Sequence, residues 1–438
     1  MSGPPPERNT ASSVGDSNRE RPHNFLSSLP PIQSHLSISQ SSLARFSAPL
    51  ASNPDRKHVL RYDAPWPMYG LDWCKRSGER DAWRIAVGSL VEESVNKLKV
   101  VSLPEYLSNG GMEDSSIRPR SDLVTIAETD HIYPATKILW EPSFRYGSGS
   151  DLIATSSDCL RLYELHSESR PDSNGSIHAR AASGYPSSQQ KLTLKTALKS
   201  TKSEFAAPLT SFDWSEVDPT LIVTGSIDTT CTIWNVETQQ PKTQLLAHLK
   251  EVYDVAFMPR DPHAFLSTGA DGTVRLFDIR SLENSSILYG NPPPDHSTLQ
   301  SGGSNTSAIP TASLLRLAIN RHDSNLLATF HVTSRSILIL DIRMGKVLAE
   351  LQGHGAPVNC VSWAPHLRQL LVSGGDDSQV LVWDIHDQTP APNAPSVKLY
   401  HPILAYTADA EVSQLCWSVA IPDWIVVGFG RSMQALKI

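Results

Sequence analysis

The segment 346–385 reads KVLAELQGHGAPVNCVSWAPHLRQLLVSGGDDSQVLVWDI, and its rhythm limits what the chain can fold into. Four runs, LAEL, VNCVSWA, LLVSG and VLVWDI, are rich in β-branched and aromatic residues and are cut by Gly, Pro and Asp. They are too short for helices and too evenly spaced for independent hairpins. A Gly-His pair (Gly353, His354) precedes the second run, Ser373 lies in the third, an acidic turn (Asp376, Asp377) follows it, and Trp383-Asp384 ends the fourth.

That order over roughly 40 residues resembles a WD40 repeat, one four-stranded blade of a β-propeller. The resemblance implies a buried hydrogen-bonded chain through His354, Ser373, Asp377 and Trp383. The physics agrees, because a buried imidazole, carboxylate and indole N–H must find partners. His354 and Asp377 alone would suggest a catalytic pair. The set recurs in weakening forms, however: His248, Ser267 and Asp271 with Phe277 for Trp; Thr224, Asp228 and Trp234 without a histidine; Asp158 one residue closer to Tyr163; and Thr333-Ser334 where an acid belongs. A catalytic constellation appears once, whereas a decaying repeat is architecture. No enzyme activity is expected, and no convergent polar set is expected in a central channel.

The strand rhythm runs from Lys57 to the last residue, and counting it gives the topology. Each set supplies an outer strand followed by three inner strands of the next blade, and the last set stops on its third strand. The opening run HVLRYDA has no partner of its own. It is expected to complete blade seven, giving an all-β, seven-bladed propeller over 57–438 whose ring leaves only short protected edges. Low-complexity insertions at about 104–121, 166–190 and 386–400 follow third strands and are expected on one face. Another, Asn291–Thr311, precedes an innermost strand and is expected on the opposite face. Residues 1–56, rich in Pro, Ser and Asn, read as a disordered tail.

Composition narrows the function. A net charge of −7 and a pI near 6.1 give no general attraction to nucleic acid or anionic membrane. There is no apolar run of the ~18–20 residues that span a bilayer, and no secretory pattern at the N-terminus. The five cysteines are scattered, without CxxC or a His at metal spacing, so neither a metal nor a cofactor is expected. Four of them, all but Cys159, lie in expected strands and read as small buried hydrophobes of a reduced intracellular protein.

Three stretches go beyond a generic repeat: APWPMYGLDWC (Ala64–Cys74), IAVGSLVEESVNKLKVVSL (Ile85–Leu103) and ILAYTADAEVSQLCWSVAIPDWIVV (Ile403–Val427). They resemble the plant TRANSPARENT TESTA GLABRA proteins and their animal relatives, grouped with cullin-RING ligase associated factors. The resemblance implies a monomeric scaffold of the cytoplasm and nucleus, with kinases or transcription factors as partners. It also suggests a substrate receptor of a cullin-RING ubiquitin ligase. Receptors that dock on the damaged-DNA-binding adaptor carry WDxR at a blade's end, and Asp278-Ile279-Arg280 and Asp341-Ile342-Arg343 match three of its four positions. For other partners, the positions leading into the innermost strands hold Trp66, Tyr69, Tyr133, Lys250, Tyr253 and Asn359, where aromatic anchors suit protein binding. Glu251, Glu411 and Asp376 make that rim acidic or mixed, which favours a basic or amphipathic peptide.

Overall fold

The computed structural model describes residues 58–78, 81–92, 95–104, 122–142, 151–167, 190–199, 207–281, 285–290, 312–385 and 396–438. The expected tail over 1–56 lies outside them, as does most of each insertion. Among the described residues the only helical element is the 3-10 turn Asp81–Trp83.

Seven antiparallel sheets follow one another along the chain. Blade one holds Met68–Trp73, Ile85–Ser89, Asn96–Ser102 and Val124–His131. Blade two holds Lys137–Trp140, Asp151–Ser156, Leu160–Ser167 and Gln190–Leu198. Blade three holds Leu209–Trp214, Leu221–Ser226, Thr230–Asn235 and Gln240–Leu246. Blade four holds Val252–Met258, Asp261–Gly269, Val274–Asp278 and Ser285–Tyr289. Blade five holds Leu314–Ile319, Leu326–His331, Ser336–Asp341 and Lys346–Gln352. Blade six holds Val358–Trp363, Leu370–Gly375, Gln379–Asp384 and Leu404–Thr407.

Blade seven takes three strands from the C-terminal end, Val412–Trp417, Trp424–Phe429 and Ser432–Lys437. Its fourth strand is Val59–Asp63, antiparallel to Ser432–Lys437 with Tyr62 opposite Met433. The unpartnered N-terminal run thus closes the ring. Innermost strands pack on one another around it, and Val412–Trp417 meets Met68–Trp73.

The core lies between blades. Seven buried apolar clusters each join two neighbouring sheets, including one built from Leu60, Tyr62, Met433 and Ala435 of blade seven with Leu71, Trp73, Ile85 and Val87 of blade one. A flat four-stranded sheet gains most of its stability by sandwiching such clusters on both faces, so every blade depends on its neighbours.

One strand departs from the expected pattern. Val397–Leu399, inside the expected 386–400 insertion, lies parallel to the outer strand Lys346–Gln352 and adds a fifth strand to blade five. Three residues of a blade-six connection cover their neighbour's edge, with Lys398 near Glu350 at 3.7 Å.

Candidate functional site: two faces and a central channel

Blade six contains the expected chain. The indole N–H of Trp383 donates to Ser373 Oγ at 2.9 Å, and Ser373 Oγ meets His354 Nε2 at 2.7 Å. His354 Nδ1 faces Asp377 at 3.0 Å, and Asp377 also accepts from the backbone of Gly355 and Gln379. Burial works to raise the Asp377 carboxyl, but the hydrogen bond to His354 and its other donors hold it below the ordinary value. Every member is occupied by another, which makes the set a brace between turn and sheet.

Other blades show how the brace decays. Blade four keeps His248, Ser267 and Asp271, while Phe277 lies stacked on Phe265 with centroids 5.1 Å apart. In blade three Trp234 donates to Thr224 Oγ1, and Asp228 serves only the turn residue Thr230. Blade two corrects the sequence reading. Its histidine is His131, bonded to Thr155 Oγ1 at 2.9 Å and tilted on Tyr163, while Asp158 turns away to Arg161. His131 occupies the place of His354, just before an innermost strand, but an insertion within the blade stretches its spacing and hides it.

Loops leading into the innermost strands form what we term the upper face, and loops leaving them the lower face. Tyr133 is 47% exposed, and Lys250 is exposed as well. Trp66 is half-buried against the blade seven–one core, with Lys99 Nζ 5.8 Å from its ring centroid. Asn359 spends its amide on Asp376 and the Val412 carbonyl. Tyr69 and Tyr253 are half-buried in the channel mouth. The six residues therefore divide between an outer rim and an inner ring.

The inner ring has a local cause. In six blades the innermost strand carries a β-bulge near its start, spanning Met68/Leu71, Leu209/Ser211, Val252/Asp254, Leu314/Arg316, Val358/Cys360 and Val412/Gln414. A bulge re-aims side chains, so successive residues turn toward the axis. Lys137 of blade two reaches past blade three to Asp254 of blade four at 3.3 Å, and it meets Ser211 Oγ at the same distance. Ser211 in turn donates to Asp254 at 2.5 Å, and the other carboxylate oxygen accepts from the Leu317 amide. Arg316 of blade five spans the ring to the Tyr69 hydroxyl of blade one at 3.1 Å and donates to the Tyr253 carbonyl.

This convergent polar set was not expected from sequence. Its members come from five blades, and nothing in their spacing announces that they meet. Burial raises Asp254, and Lys137 then Arg316 outweigh it, holding the carboxyl below its ordinary value. Below the ring a cavity of about 250 Å³ opens toward the lower face, lined in part by Asp72, Lys75, Asp213 and Arg321. Asp213 sits there with its carboxyl raised by burial, accepting from the Phe257 amide.

On the lower face, Asp278-Ile279-Arg280 and Asp341-Ile342-Arg343 end the third strands of adjacent blades. Arg280 is bidentate on Asp278, and its guanidinium holds that carboxyl down at about 2. Arg343 pairs with Asp341 at 3.3 Å. Both arginine side chains are mostly exposed, 63% and 69%, so the local pairs leave their outer edges available.

Seven blades built on four antiparallel strands, a recurring His–Ser–Asp brace and a strand-swapped closure define a WD40-type β-propeller. The model of the WD domain, G-beta repeat matches residues 239–278 and 345–384, which span the ends of blades three and five together with most of blades four and six. A DDB1- and CUL4-associated factor 7 homolog of Dictyostelium discoideum is 40% identical over 385 residues, covering 88% of this chain and all of the relative. An uncharacterized WD repeat-containing protein of Schizosaccharomyces pombe is 36% identical, covering 87% of this chain and 90% of the relative. A WD repeat-containing protein of Saccharomyces cerevisiae is 35% identical over 84% of this chain and 67% of the relative. The chain belongs to the WD40-repeat family, and within it is similar to the DDB1- and CUL4-associated factors.

Proposed function

We propose that the protein is a non-enzymatic scaffold that assembles regulatory complexes in the cytoplasm and nucleus, with kinases or transcription factors held on its upper face. The observation that carries this reading is a set of exposed apolar side chains at the upper-face loops. Ile132, Tyr133, Ile227, Leu246, Leu249 and Val332 all stand at upper-face loops or strand ends, with Leu246 and Leu249 72% and 65% exposed. Exposed apolar side chains at these loops suit protein association. The transcription-factor part leans on the resemblance to the plant TRANSPARENT TESTA GLABRA proteins. The test is affinity capture with mass spectrometry, comparing wild type with Tyr133→Ser/Leu249→Ser. Loss of kinases or transcription factors from the variant is the expected result; an unchanged partner set would sink the reading.

A second reading, substrate receptor of a cullin-RING ubiquitin ligase, is favoured by the name of the Dictyostelium relative and by the paired lower-face arginines. Arg280→Ala/Arg343→Ala then loses the damaged-DNA-binding adaptor and cullin while keeping upper-face partners. Full retention of the adaptor would count against both arginines.

A further inference from the structure

We propose that the channel mouth on the upper face is a recognition site for an acidic side chain, an Asp or Glu of a partner peptide, with Arg316 as its receptor. The proposal rests on the scaffold reading above and names the chemistry its upper face selects.

The charge balance of the inner ring supports it. Among the described residues, Lys137 and Arg316 converge there with one carboxylate, Asp254. That carboxylate is committed to Lys137, Ser211 and the Leu317 amide. Arg316 makes two contacts, with a phenol and a carbonyl, and among the described residues no carboxylate lies at salt-bridge distance from it. A guanidinium carries five N–H donors in a planar fork that fits a carboxylate bidentately, so most of its capacity is unused.

The setting favours a side chain over a free ion in solution. Arg316 is half-buried, which weakens competition from water, and its hydrogen bond to Tyr69 fixes the fork across the mouth. In blade three, the Thr210 hydroxyl at the bulge is buried without a hydrogen-bond partner, leaving another polar group at the level of the ring. The outer rim is mixed in sign. Asp376, Asp409, Glu251 and Glu411 are exposed around it together with Lys250, while the protein as a whole carries −7. A partner seated here presents its acid at the centre and tolerates basic residues on either side. The inference adds an acidic residue at the centre to the basic or amphipathic ligand that a mixed rim favours.

The test is a selection of phage-displayed random dodecapeptides on the purified full chain. Enriched peptides are then made with a fluorescein label and titrated by anisotropy. Wild type is compared with Arg316→Gln, which keeps a polar side chain but removes the charge and the fork, and with the outer-rim double variant Tyr133→Ser/Leu249→Ser. The expected peptides share an Asp or Glu. Changing it to Asn or Gln weakens binding by about tenfold or more, Arg316→Gln does the same, and the two changes together add little. The peptide-side change needs no refolding of the protein, so a structural defect in Arg316→Gln cannot mimic the result. Peptides that lose binding to the rim variant but carry no acid, or whose acid is indifferent to Arg316, overturn this inference and leave the scaffold reading standing. Peptides indifferent to every variant, or a selection yielding no binder, count against both.

Discussion

Replacing Asp377 with alanine tests whether the recurring polar set braces the blades. The carboxylate serves three donors: His354 Nδ1 at 3.0 Å, the Gly355 amide at 2.7 Å and the Gln379 amide at 3.1 Å. Gly355 is exposed and Gln379 half-buried, so water replaces the carboxylate there at small cost. His354 is only 6% exposed, and its Nδ1–H is stranded. A buried donor without a partner costs about 1–3 kcal/mol, and weakened turn bonds bring the expected loss to about 2–3 kcal/mol. Urea unfolding followed by tryptophan fluorescence measures it, with a fall in Tm of several degrees as the calorimetric counterpart. Asp228→Ala in blade three is the internal control. That carboxylate bonds only the amide and hydroxyl of Thr230 at an exposed turn, with no histidine behind it, so its removal costs below about 1 kcal/mol. Equal losses for the two variants would refute the argument, showing that turn capping and not the stranded imidazole sets the cost.

Other perturbations probe the ring elsewhere. Removing residues 1–63 takes away Val59–Asp63 and exposes the edge of Ser432–Lys437, so the product aggregates, whereas removing 1–57 leaves every described closure contact in place; size-exclusion chromatography separates the cases. Gly374→Ala places a methyl 2.4 Å from Val412 Cγ1 at the blade six–seven interface and destabilises by about 1–3 kcal/mol; an unchanged Tm would show that this interface yields freely. Burial lowers the His131 pKa from 6.5 against the opposing bond to the Tyr133 carbonyl. The unfolded chain therefore takes up that proton first: the stabilisation is full above pH 6.5 and is lost as pH falls through the lower folded value. His131→Gln flattens this part of the stability profile below about pH 6.5, and an unaltered slope would place the titration elsewhere.

The sequence alone determined the ring. Strand rhythm fixed seven blades, the odd count of strands at the two ends fixed the closure through HVLRYDA, and the WD40 resemblance implied the His354–Ser373–Asp377–Trp383 brace, because all three depend on local order along the chain. The Asp278-Arg280 and Asp341-Arg343 pairs were legible for the same reason, each being two residues apart. Where spacing was disturbed, reading failed: His131 was missed behind an insertion, and Val397–Leu399 was taken as part of a loop although it pairs with a neighbouring blade. The channel set was beyond any such reading. Lys137, Ser211, Asp254, Arg316 and Tyr69 are separated by up to 247 positions, and each looks like an ordinary strand residue in its own blade. Only closing the ring, with bulges in four of those five strands turning side chains toward a common axis, brings them together. Tertiary structure decided the site because a propeller's centre is assembled from one short strand of every repeat.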